Sequence, residues 1–150
     1  MPKLAPQETR TFFLTLVTAD RRSVFQVHNN ANLLLALFED DRTKSRYALH
    51  AFAIMPDHVH ALITPAPEVS FEKAVQFIKG GFSFRLKSKM DVWQKGHNEH
   101  RITDPADYAQ HVTYIHENPT EARLPADYPF TSAKLTHLVD PAPTHLAPRG

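Results

Sequence analysis

His58 and His60 flank Val59 in a run, His58 to Thr64, whose β-branched residues predict a strand. Side chains alternate across a sheet, so the two imidazoles share one face, about 7 Å apart along the strand, while Val59 turns to the core. Two rings so placed can converge on one metal ion. On spacing alone the plainer reading is a pair of half-exposed histidines at a sheet edge. Large metallohydrolase barrels also use a His-x-His pair, but they need about 250 residues and this chain has 150. It has no cysteine and ten histidines. That excludes disulfide frameworks, thiolate zinc sites, CxxC redox motifs and cysteine nucleophiles, and leaves imidazole and oxygen as the metal ligands.

A second chemical group is a tyrosine hydroxyl. Tyr47 falls in a predicted strand and Tyr128 near the C-terminal end, so the choice lies between Tyr108 and Tyr114. Both sit on a helix begun by Asp104-Pro105, a capping residue followed by proline at the first position, running to about Glu117 and expected to stop at Asn118-Pro119. At about 100° per residue, Tyr108, Val112 and Ile115 form one apolar side and belong to the core. Tyr114 shares the opposite side with Asp107, Gln110, His111, Glu117 and Asn118, where its hydroxyl can meet a substrate or simply face solvent. His100 and His111 offer proton-transfer groups nearby, with surface or packing roles equally open.

The elements that must hold these groups follow from periodicity. Arg10–Thr18 reads as a strand. Asn29 and Asn30 can cap a helix over Ala31–Asp40, with Leu33, Leu34, Leu37 and Phe38 inward. Ser45–Ile54 and His58–Thr64 form strands joined by a turn at Met55-Pro56-Asp57. Ser70 can cap a long helix that puts Phe71, Val75, Ile78, Phe82 and Leu86 on one face, and Val92–Gly96 suggests a short fourth strand. The order β-α-β-β-α-β matches the ferredoxin-like (RRM-like) plan, an α+β fold with an antiparallel sheet, followed by the tyrosine-bearing helix. The domain is expected over residues 8–130. Residues 131–150, with prolines at 141, 143 and 148, predict an extended C-terminal tail.

Net charge is only +1, which by itself favours neither nucleic acid nor membrane. The average hides a local excess. Residues 73–95 carry Lys73, Lys79, Arg85, Lys87, Lys89 and Lys95 against Asp91 alone, with Phe77, Phe84 and Trp93 interleaved. Rings among cations suit unpaired bases. A solvated helix face with a break at Gly80-Gly81 would look the same. Arg21-Arg22 forms a second small basic site. The first eight residues lack the apolar stretch of a signal peptide and no run approaches the roughly 20 residues of a membrane span, so the default location is the cytoplasm.

The stretch Met55-Pro56-Asp57-His58-Val59-His60 resembles the signature of the HUH single-strand DNA transposases that use one catalytic tyrosine. Thr18–Phe25 is similar to that family's loop after its first strand, Val92–Ile102 to its Trp-Gln segment, and Tyr114-Ile115-His116-Glu117-Asn118-Pro119 to the end of its tyrosine helix. The likeness spans about residues 10–130 and is nearest to the REP-associated tyrosine transposases (the IS200-like family), which are tied to repetitive extragenic palindromes. It implies Tyr114 as nucleophile and His58, His60 and Asn118 as ligands of Mg²⁺ or Mn²⁺. It also implies a DNA hairpin with a single-stranded flank as partner, met by a monomer or a homodimer. Arg21, Arg22, Lys79, Arg85, Lys87, Lys89 and Trp93 are the expected DNA-binding residues.

The chemistry fits those residue types. A free phenol has a pKa near 10 and is a weak nucleophile at neutral pH; a divalent ion that polarises the phosphate and aligns it compensates. Attack would leave a 5′-phosphotyrosine and a free 3′-hydroxyl, conserving the bond energy for rejoining. Two competing readings are a non-catalytic nucleic-acid-binding module on the same fold, and a metal-dependent phosphohydrolase that uses water in place of Tyr114. The chain departs from the family after Pro119. It has Glu121 where a basic residue is usual and Arg123 where glycine is usual, which leaves the local turn open.

Overall fold

The computed structural model describes residues 9–146. The expected domain start at residue 8 and the tail residues 147–150 lie outside the described residues. Strands β1 (Phe12–Val17), β2 (Tyr47–Ile54), β3 (His58–Pro65) and β4 (Asn98–Arg101) form one sheet in the order β2-β3-β1-β4. All three pairings are antiparallel. With helices α1 (His28–Thr43) and α2 (Phe71–Leu86) between the strands, this is the ferredoxin-like α+β arrangement. Helix α3 (Pro105–Glu121) follows.

Strand alternation divides the molecule. Phe12, Leu14 and Leu16 of β1 are buried with Val59, Ala61 and Ile63 of β3 against α1 and α2. Phe13, Thr15 and Val17 point to the opposite face. There a smaller apolar cluster, Ala51, Ala53, Met55, Leu62 and Ile115, seats α3, with Tyr108 and Val112 packed on its margin. In β2 the inward positions change phase. Tyr47 and Leu49 face the large core, and so do Phe52 and Ile54, because the ladder to β3 shifts register between Leu49 and Ala51. The extra residue of this bulge is His50.

Helix α2 forms as its pattern predicts. Ser70 Oγ accepts from Lys73 N, and Phe71, Val75, Ile78 and Phe82 are buried. The helix does not break at Gly80-Gly81. A Cβ on Gly81 would sit 2.9 Å from Leu37 of α1, so this glycine lets the two helices approach.

Three boundaries differ from expectation. Helix α1 begins earlier, after Val27, without a side-chain cap, and Asn30 instead donates to Val24 O. The fourth strand is not residues 92–96 but Asn98–Arg101; Trp93 makes only an isolated bridge with Thr18. Helix α3 continues through Asn118-Pro119, losing one helical donor, and ends where Arg123 takes φ 61°. That left-handed turn is the conformation glycine would adopt most cheaply.

The compact unit also reaches further than residue 130. Ile54 N donates to Phe130 O, Ser132 N to Phe52 O and Asp140 N to Leu49 O. These bonds lay residues 130–140 along the outer edge of β2. Phe130, Leu138 and Leu146 are buried. Asp140 receives Arg42 at 2.8 Å and 3.1 Å and the Leu49 N–H at 2.8 Å. Prolines are tolerated here because an edge segment leaves some amide positions without a ladder partner. Among the described residues no helix is long and apolar enough to cross a membrane.

Burial opposes ionisation of Asp140, but Arg42 and the Leu49 amide outweigh it and hold the carboxyl below its ordinary value. The unfolded chain therefore takes up protons first as pH falls. Asp140→Ala should cost about 1–2 kcal/mol by urea unfolding at pH 7. The difference from the parent chain should be full above the ordinary carboxylate pKa and shrink as pH falls through the folded value. A constant difference across that window would contradict the assignment.

Candidate active site and nucleic-acid interface

The site lies on the sheet face that α3 covers. Pairing of β1 with β3 sets Thr15 opposite His60 and Val17 opposite His58. The two histidine rings meet edge-on at 4.8 Å between centroids. Each is oriented by a different neighbour. Asp57 Oδ1, from the tight turn, lies 2.7 Å from His58 Nδ1, and Thr15 Oγ1 lies 2.9 Å from His60 Nδ1. A carboxylate on one ring's Nδ1 and a hydroxyl on the other's leave Nε2 of each as the outward group, the arrangement used by metal-binding histidines.

His60 is 5% exposed. Burial, assisted by neighbouring His58, pushes its pKa down to about 3, so it is a neutral ring with a lone pair at physiological pH. His58 Nε2 faces Asn118 Oδ1 at 3.2 Å. With His58 Nδ1–H donating to Asp57, Nε2 is left as a lone-pair atom beside the Asn118 amide, where a cation would be held by both. Ligand atoms about 3 Å apart suit one octahedral ion with bonds of about 2.1 Å. The donor set, two neutral imidazoles and an amide oxygen, therefore fits a divalent cation.

Tyr114 completes the group. Its ring stands 5.4 Å from that of His60 and 5.8 Å from Phe13, which itself stacks on His60 at 5.2 Å. The tyrosine is half exposed and borders an open concavity lined by Phe13, Thr15, His60, Gln110, His111 and Tyr114. One turn further along α3, Asn118 meets His58. The phenol and His60 thus border one concavity, with His58 beside His60 and Asn118 against His58.

Comparison with known proteins gives this constellation its context. The family model described as "Transposase IS200 like" matches residues 9–117, well over half of the chain. The chain belongs to the IS200-like transposase family. It is similar to a REP-associated tyrosine transposase of Escherichia coli K12, 29% identical over 126 residues, covering 81% of this chain and 75% of the relative. A Haemophilus influenzae protein assigned to the same group is 24% identical over 138 residues, covering 81% and 78%. Among solved structures, a REP-associated tyrosine transposase bound to a REP hairpin matches with TM-score 0.75 at 24% identity, covering 94% of this chain and 88% of that one. At that identity the likeness shows the fold.

The expected DNA contacts divide sharply in this family member. Trp93 is a correction. It is 9% exposed, packed on Phe25 and Phe82, and its indole N–H donates to Lys79 O, so its faces are taken by the core and cannot stack on a base. Lys79 is turned to internal use, donating to Gln94 O and Gly96 O. Arg85 pairs with Asp40. Arg21 pairs with Asp57 at 2.9 Å and so braces the carboxylate that orients His58. Arg22 reaches Ala19 O, Met90 Sδ and Asp91 O, tying the loop after β1 to the loop after α2. Lys87 and Lys89 are exposed, beside Phe84 at 80% exposure and Met90 at 63%.

Thr15, Asp57 and Phe13 are site residues that the sequence alone does not single out as such. Asp57 belongs to the Met55–His60 stretch as a turn residue, and its proximity to His58 Nδ1 follows from being its neighbour. Thr15 and Phe13 could be found only by knowing the β1–β3 register. Thr15→Val should weaken Mn²⁺ binding by about 10- to 100-fold with an unchanged far-UV spectrum, as read by equilibrium dialysis. Undiminished binding would mean that Thr15 does not orient His60.

Proposed function

We propose that the chain is a metal-dependent single-stranded DNA nickase and rejoining enzyme, acting near hairpins through a covalent 5′-phosphotyrosine. The placement of Tyr114 against His60, whose neighbour His58 meets Asn118, is the observation that carries this reading. The three ligands would hold Mg²⁺ or Mn²⁺, which supplies Lewis-acid polarisation of the scissile phosphate when bound. Tyr114 Oη attacks the phosphorus, forming the P–O bond to tyrosine as the bond to the 3′-oxygen breaks. The phenolic proton is lost and the departing 3′-oxygen gains one. A 3′-hydroxyl then reverses these steps to reseal the strand without an external energy source. Asp57 and Thr15 hold the imidazoles still through both steps, and, although burial opposes it, His58 and then Arg21 hold the Asp57 carboxyl below its ordinary value.

The hairpin partner is supported by the relative solved with a REP hairpin. On this chain, Lys87, Lys89 and the exposed Phe84 form the surface best suited to phosphate and unpaired bases, with Arg22 holding the loop beside them. This reading is preferred over a purely binding module because such a module has no use for a tyrosine set against two oriented imidazoles.

Tyr114→Phe should abolish the covalent protein–DNA band on a denaturing gel, with Mn²⁺ and single-stranded oligonucleotides from the DNA flanking the gene, while leaving binding largely intact. A band that persists would overturn the role of Tyr114. Lys87→Ala with Lys89→Ala should lower the slope of log affinity against log salt by about 0.7 for each phosphate that is no longer neutralised. An unaltered slope would place the DNA elsewhere.

A further inference from the structure

The histidine pair on β3 is not the only ligand cluster on this sheet face. His100, in β4, lies directly across from Phe13 in the β1–β4 ladder and therefore on the face that carries His60. His111 and Asp107, one turn apart on α3, reach toward it. His100 Nε2 is 2.9 Å from Asp107 Oδ2, His111 Nδ1 is 3.2 Å from Asp107 Oδ1, and one ligand atom from each residue lies within 4.8 Å of the other two. The two imidazoles stack at 4.8 Å and 17°. Phe13 forms the partition, its ring 4.8 Å from His111 on one side and 5.2 Å from His60 on the other.

We propose that His100, Asp107 and His111 form a second metal site, separate from His58, His60 and Asn118. Two imidazoles and one carboxylate, with further positions open, are a donor set for Zn²⁺ or another late first-row dication in preference to Mg²⁺. The ligands are already held in place. Asp107 accepts from Thr103 N and its own amide donates to the helix cap Asp104. An ion here would join β4 to the first turns of α3. Tyr114 is three residues beyond His111, so the occupancy of this site would govern how firmly the tyrosine is held over the histidine pair.

The test is an ion count on the full chain. After dialysis against Zn²⁺, the parent should retain two ions, and the His58→Ala/His60→Ala double variant one. Adding His111→Gln or His100→Gln to that double variant should leave none, and Zn²⁺ should then no longer raise its Tm. Co²⁺ substitution gives an independent reading, with visible d–d absorption in the double variant that disappears with His111→Gln. A double variant that holds no ion, or an ion that survives His111→Gln, overturns the second site. Failure of the first site reads differently, as a count that the loss of His58 and His60 does not change.

Discussion

The register between β1 and β3 is the constraint on which the site depends. Pairing Thr15 with His60 and Val17 with His58 puts both imidazoles, their hydroxyl support and the Phe13 ring on one face. The same pairing sends Leu14, Leu16, Val59 and Ala61 into the core on the other. A slip of β3 by one residue would exchange its two faces. It would drive His58 and His60 into an apolar layer and turn Val59 and Ala61 out of it. The hydrophobic effect that packs α1 and α2 against the sheet is therefore also what aims the site at α3. No separate interaction is needed to choose the face.

Much of this was legible because it is local. The spacing of His58 and His60 on a strand, the capping of α2 by Ser70, and the division of α3 into a Tyr108 side and a Tyr114 side all follow from period and type. What was not legible depends on neighbours distant in sequence. Trp93 looked like a stacking residue among cations, yet it fills the gap between Phe25 and Phe82. The helix passes through Pro119 because the missing donor falls in its last turn, with the C-cap three residues on at Ala122. Residues beyond 130 read as an extended tail because prolines recur there without an apolar period. Phe130, Leu138 and Leu146 act as anchors, but they are too widely spaced to show a period.

The basic residues carry a related lesson. Net charge by segment points to a basic stretch over residues 73–95 and a second small site at Arg21-Arg22. The fold assigns several of those charges to its own assembly: Arg21 to Asp57, Arg85 to Asp40, Lys79 to two carbonyl oxygens, Arg22 to the joining of two loops. Arg21 links electrostatics and chemistry most directly, since the carboxylate it pairs with also orients His58. Loss of that arginine would be felt through ring orientation as well as through local potential.

The C-terminal strap has a consequence for the order in which the molecule is made. Residues 130–140 cover the outer edge of β2 and reach back to Arg42 and Leu49, about ninety residues upstream. During synthesis everything they cover emerges from the ribosome first. Until the strap arrives, β2 presents an unpaired edge beside a bulge, the kind of surface that recruits another strand. Arrival of the strap therefore covers the β2 edge, and a nascent chain stalled before it is the form in which that edge is open to edge-to-edge pairing.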